Sequence, residues 1–335
     1  WWGTTRINGY HVMSSKTIFT TLAATSVATL LIFGGIGVAT ASTEPSEADT
    51  QAIKTLTRGA PIELTHVHGL AYSADGQQLL IPSHHGIAAY ADGQWTKMAG
   101  PEHDYMGFAT TREALYSSGH PAAGSNLINP FGLIKSTDAG KTWQQLGLEG
   151  ESDFHTLATS YETNAVYVLN YGPNTRMPQA GLYRTQTDGL AWTRAAANDL
   201  KAKVNSLAVH PRDANVVAVG AADGLYLSRD AGNHFEPLVR STQVLAQWFD
   251  LDGEHLWVSS YANASVLSRI GLKDGGPNEK IKLPALDEDA VAFIAQNPTR
   301  HEEFALATFK RSAYVSRDRG VTWMQIADSG TTRDK

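Results

Sequence analysis

The sequence predicts an all-β fold, a six-bladed β-propeller of four-stranded antiparallel blades. Three observations predict it: a turn motif that recurs at blade-length spacing, short runs of alternating apolar and polar residues between turns, and one inner-strand pattern repeated six times.

The turn motif comes first. The segment S-T-D-A-G-K-T-W at 136–143 returns as S-R-D-A-G-N-H-F at 228–235 and S-R-D-R-G-V-T-W at 316–323, all fitting Ser-x-Asp-x-Gly-x-x-aromatic. A worn copy, T-Q-T-D-G-L-A-W at 185–192, keeps the Gly and Trp but carries Thr187 in place of the Asp. Starts at 136, 185, 228 and 316 are 49, 43 and 88 residues apart, so the longest gap holds two units, one without the motif. An Asp side chain in such a turn accepts nearby backbone N–H groups, Gly supplies a positive φ, and the aromatic returns to pack between sheets. Asp138, Gly140 and Trp143, Asp230, Gly232 and Phe235, and Asp318, Gly320 and Trp323 therefore have structural roles.

Strand reading places the six units at roughly 66–100, 103–148, 153–198, 203–240, 243–286 and 289–328. Each opens with a similar inner strand: H-V-H-G-L-A-Y, D-Y-M-G-F-A-T, D-F-H-T-L-A-T, K-V-N-S-L-A-V, Q-V-L-A-Q-W-F and D-A-V-A-F-I-A. Seven blades accommodate this spacing less well. Residues 60–65 are expected to close the ring against the last blade, and 61–330 to form a single propeller domain.

Upstream of it, Met13, Lys16, an apolar run from Ile18 to Val38 and Ala39-Thr40-Ala41 give the order of a secretory signal peptide, 13–41. Residues 1–12 read as mis-called upstream sequence and 42–60 as a polar linker. An uncleaved membrane anchor is the alternative for the apolar run, and either reading puts the domain outside the cytoplasm. The chain has 335 residues, a net charge of −6 and no cysteine, with no long block of like charge. Disulfides and thiolate metal sites are therefore excluded, and nucleic acid is not an expected partner. Nothing indicates a nucleotide or organic cofactor, and a monomer is expected.

Of twelve histidines, His66, His68, His84, His85, His103, His120 and His155 fall within the first three units. They sit at starts of inner strands or ends of second strands, which share one face beside the channel. Aligning inner strands stacks His68, Met106, His155 and Asn205 at one level, with His66, Asp104, Asp153, Lys203, Gln243 and Asp289 two residues earlier. Imidazoles suit zinc, copper, iron or nickel, a thioether at Met106 favours copper, especially copper(I), and Asp104 and Asp153 could ligate or orient the rings. A small polar ligand or glycan held by the rim, with Arg176 and Asn205 as contacts, is the other binding reading. A satisfied network of polar groups and water is the structural alternative. His210, His234, His255 and His301 fall in turns of the opposite face.

On its turn motif the sequence resembles the Asp-box (bacterial neuraminidase repeat) families, which include sialidases, sortilin-type receptors and unassigned secreted bacterial propellers. The resemblance to sialidases implies an arginine triad, yet no arginine stands between Arg58 and Arg112, and Arg176 is the one placed in an upper-face loop. Ordinary glycoside hydrolysis needs two carboxyl groups flanking the bond, for which Asp104, Asp153 and Asp289 are the available residues. The segments H-V-H-G-L, H-H-G-I, M-G-F, S-S-G-H-P and D-F-H-T-L are similar to a secreted bacterial group described as glycosylhydrolase-like or sialidase-like. That resemblance covers residues 63–328 and implies a shared site at His66, His68, His85, Met106, His120 and His155, without implying a reaction. A glycoside hydrolase-like enzyme and a non-catalytic assembly or receptor module stand as alternatives to metal binding.

Overall fold

The computed structural model describes residues 61–273 and 278–334, all within one compact unit, Leu56–Lys335. The expected upstream residues, signal peptide and linker lie outside the described residues. Among these there is no helix, and the strands form six antiparallel sheets in chain order. Blade 1 runs Ala71–Tyr72, Leu79–Ser83, Gly86–Ala91, Gln94–Lys97, and blades 2 to 6 open with Asp104–Thr110, Leu157–Thr159, Val204–Val209, Gln243–Phe249 and Val291–Gln296. Those first strands contact one another in a closed cycle, the sixth meeting the first, which makes them the wall of an axial channel.

Alternation explains how each sheet serves two neighbours. In the second strand of blade 1, Leu79 and Ile81 pack toward blade 6 while Leu80 packs toward blade 2, as a period of two requires. The apolar core is accordingly divided, with a separate buried cluster at each junction between adjacent blades.

Ring closure uses the segment before blade 1. Leu64 N–H donates to Gly330 O at 2.7 Å, Thr332 N–H to Ile62 O at 3.2 Å, and Glu63 bridges Thr331, adding a strip outside the fifth strand of blade 6. Arg311 braces the same seam by donating to the carbonyls of Leu64 and Thr65.

The repeated turns share one hydrogen-bond pattern. In the first, Gly140 N–H donates to Ser136 Oγ at 2.8 Å and Thr142 N–H to Asp138 Oδ1 at 2.9 Å, and Ser228/Asp230 and Ser316/Asp318 repeat it. Gly140, Gly232 and Gly320 have φ of 91°, 84° and 85°, and the residues before them are also left-handed. The worn copy keeps its turn because the Thr187 hydroxyl accepts Ala191 N–H at 3.0 Å where an Asp would otherwise serve.

Candidate metal centre at the channel mouth

Two short pieces of chain bring the first histidines together. His84 and His85 form the two-residue turn between Ser83 and Gly86, and Gly86, with φ of 89°, permits so tight a hairpin. Beside it, residues 66–68 precede the inner strand instead of belonging to it, so the H-V-H segment lies over the channel rim. His68 N–H still donates to Pro82 O at 3.2 Å, and Gly69 bridges Phe108 of blade 2. A Cβ at Gly69 would stand 2.5 Å from that of Phe108, which is why glycine follows the second histidine.

The result is a trio, His66, His68 and His84, whose nearest ring nitrogens all lie within 4.8 Å of one another. His84 Nε2 is 2.8 Å from His66 Nδ1, and His84 Nδ1 is 2.8 Å from Asp104 Oδ2. A neutral His84 donating Nδ1–H to that carboxylate presents a lone pair on Nε2 to the trio. His68 Nε2 lies 3.6 Å from Asp104 Oδ1, and both atoms are buried without a hydrogen-bond partner. Burial pushes the His68 imidazole down to about 4, with neighbouring His84, His66 and His155 lowering it further against the pull of Asp104. The ring is thus neutral at physiological pH, the form that ligates a metal.

A second group adjoins the first through blade 2. Asp104 and His120 are cross-strand partners, and His120 Nε2 reaches Asp153 Oδ2 at 3.1 Å, which also takes His155 Nε2 at 2.6 Å. Asn129, a residue not among the expected site residues, lies in the long loop 124–131 between the second and third strands of blade 2, itself expected to wall the pocket, and places its Oδ1 2.7 Å from His120 Nδ1. Its signal is the length of that loop.

Other expected residues are placed elsewhere. His103 is buried against Tyr105 and Phe131, its Nδ1 accepts Ala122 N–H at 2.9 Å, and burial lowers its pKa, so it braces blade 2. His85 is exposed at the hairpin tip and does not belong to the trio. Met106, expected to offer a thioether at the level of His68, is buried and lines no part of the axial cavity. The cause is a register shift between Met106 and Ala109 with Gly107 at φ 53°, which leaves Gly107 and Phe108 on the wall. Asp289 Oδ1 accepts the N–H groups of Ala290 and Lys310, a backbone role that ties up a carboxylate considered for hydrolysis. Arg176 donates to the carbonyls of Leu146 and Gly189, clamping blade 2 to blade 3. Asn205 does line the cavity and donates Nδ2–H to Val244 O at 2.9 Å.

Beneath the mouth lies an axial cavity of about 250 Å³ with His68, His155 and Asn205 among its lining residues. Below the polar mouth the channel wall is mainly apolar, because each inner strand turns to Leu, Ala, Phe or Ile after its polar start.

No family model matches the chain, and no curated protein does. Solved structures show the fold. A GH74 enzyme of Niastella koreensis superposes with a TM-score of 0.54 at 15% identity, covering 80% of this chain and 47% of its own. The Cps50 (Swd1) β-propeller domain of Myceliophteria thermophila gives 0.52 at 12% identity, covering 79% and 88%. The extracellular domain of a putative one-component system, BT4673, from B. thetaiotaomicron gives 0.51 at 15% identity, covering 83% and 36%. The chain thus spans about half or less of the first and last of these, and at such identities the likeness concerns the fold alone.

Proposed function

We propose that this protein is an exported β-propeller of the Asp-box type that holds one divalent transition metal, zinc or copper, through His66, His68 and His84. The observation that carries the reading is the convergence of three imidazoles at the mouth, together with the unpartnered Nε2 of His68. Asp104 serves as the orienting carboxylate, fixing the His84 tautomer and drawing His68 into place. Zinc and copper(II) both accept an all-imidazole set, and without a thioether the case for copper(I) loses its ligand. A bound ion would supply a Lewis-acidic centre facing the cavity.

Elemental analysis of tag-free protein, purified from cells supplied with zinc and copper, tests this. About one metal per chain is expected. A metal-free protein that also ignores both ions on titration would overturn it and return weight to the glycoside hydrolase-like alternative, which draws on fold likeness to the GH74 enzyme. A saccharide panel is expected to show no turnover, since Asp104 and Asp153 are engaged by imidazoles and Asp289 by backbone.

A further inference from the structure

We infer that the axial cavity is a binding site for a compact, uncharged aromatic molecule bearing one hydroxyl, a phenol in chemical class, with its ring in the channel and its hydroxyl at His68. Size is the first argument. At about 250 Å³ the cavity exceeds the ~150 Å³ that accommodates benzene and falls short of the ~300–1,000 Å³ typical of drug-sized ligands. One ring with small substituents matches it.

The wall is the second argument. Leu70, Phe108, Leu157, Leu207, Phe249 and Phe293 come from six blades and face one space, which favours an apolar body and offers ring edges and faces to an aromatic one. Among the wall's polar groups, Trp248 Nε1 and His68 Nε2 are buried without a partner, whereas the amides and the serine hydroxyl are paired. Ser206 Oγ donates to Gln247 Oε1 at 2.7 Å, Gln247 Nε2 donates to the carbonyls of Ser206 and Ala218, and Asn205 Nδ2 to that of Val244.

The mouth supplies the third argument. His68 is a lining residue whose Nε2 is buried and unpartnered, so it can exchange one hydrogen bond with a hydroxyl that acts as donor or acceptor. Asp104 and Asp153 beside it oppose a carboxylate or phosphate, and a charged ligand would also lose its hydration in the apolar channel. Carbohydrates, with a hydroxyl on nearly every carbon, would leave most of those groups unpaired.

The inference uses His68 and Asp104, as the metal reading does, and because His68 Nε2 cannot hold a metal and the hydroxyl together it concerns the metal-free protein; the two readings fail separately. Calorimetric titration of chelator-treated, metal-free protein with phenol, benzene and glucose is the test. Saturable phenol binding about ten-fold tighter than benzene is expected, with no glucose binding. Ala292→Phe, which fills the cavity, should weaken phenol at least ten-fold and leave metal stoichiometry unchanged. His84→Ala should abolish metal and leave phenol binding intact in metal-free protein. Ala109→Leu substitutes for Ala292→Phe if the latter does not fold. Absence of phenol binding, binding that survives a folded filling variant, or glucose binding as tight as phenol would each overturn the inference.

Discussion

Both faces of the propeller pair histidine with aspartate, and the two sets are built differently. On the face of the repeated Ser-x-Asp-x-Gly turns, His234 Nδ1 contacts Asp230 at 2.6 Å and His255 Nδ1 contacts Asp252 at 2.7 Å, partners four and three residues away. His210 Nδ1 accepts the N–H groups of Arg212 and Asp213 in its own turn, while its Nε2 lies 2.9 Å from Gly253 O of the next blade. The contacts within a turn staple it to itself. At the channel mouth, Asp104 of blade 2 faces His68 and His84 of blade 1, and Asp153 gathers His120 of blade 2 with His155. Connections across blades collect ring nitrogens at one place and leave His68 Nε2, Asp104 Oδ1 and Asp153 Oδ1 buried without partners. The lesson is that Asp104 and Asp153 each gather two histidine rings, at least one of them distant along the chain, whereas Asp230 and Asp252 each hold one nearby ring.

That contrast can be broken most directly by deletion. His68→Ala combined with His84→Ala should abolish stoichiometric metal, whereas His234→Ala with His255→Ala should retain all of it, as read by elemental analysis of purified protein. Equal loss from both pairs would erase the distinction. Asp104→Asn keeps the shape of the orienting group and removes its charge; titration with zinc should show affinity lowered about 10–100-fold, the range for lost outer partners of metal ligands. An unchanged affinity would remove Asp104 from the site.

The smallest effect separates the faces by sign. Burial lowers the pKa of His103, so below about pH 6.5 the unfolded chain takes up a proton that the folded ring resists, and stability falls as pH falls. Asp230 raises that of His234, whose contribution is present below the unfolded value and is lost as pH rises through the folded one. Melting temperatures of metal-free protein between pH 7.5 and 5 should therefore decline less steeply toward acid for His103→Gln and more steeply for His234→Ala. Parallel profiles for both variants and the parent would refute the assignment.

The scaffold was readable because its determinants are local. Ser-x-Asp-x-Gly and the aromatic that follows define a turn within eight residues, and alternating Leu, Val and Ala reveal strands that are buried on both sides. Histidine segregation to one face followed from the same reading. What stayed hidden depends on neighbours. Nothing in M-G-F announces that Gly107 shifts the register and takes Met106 off the channel wall, and nothing in P-E-H-D announces that His103 sinks between Tyr105 and Phe131 while Asp104 faces the mouth. Alternation also predicts strand for H-V-H and D-F-H, yet the regular strands begin only at Ala71 and Leu157. The apolar interior of the channel was written in the residues after those starts, and it needed six strands seen together.

Gly107 carries a consequence larger than its size. A methyl group placed there would stand 2.0 Å from the carbonyl oxygen of Phe154, one residue from Asp153, on a backbone already at φ 53°. Any substitution would wedge the second sheet away from the third, stretching the span from Asp104 and His120 to Asp153 and His155 while leaving every one of those side chains unaltered. The spacing of the imidazole assembly is thus gauged by an atom that is not there, at a position with no chemistry of its own.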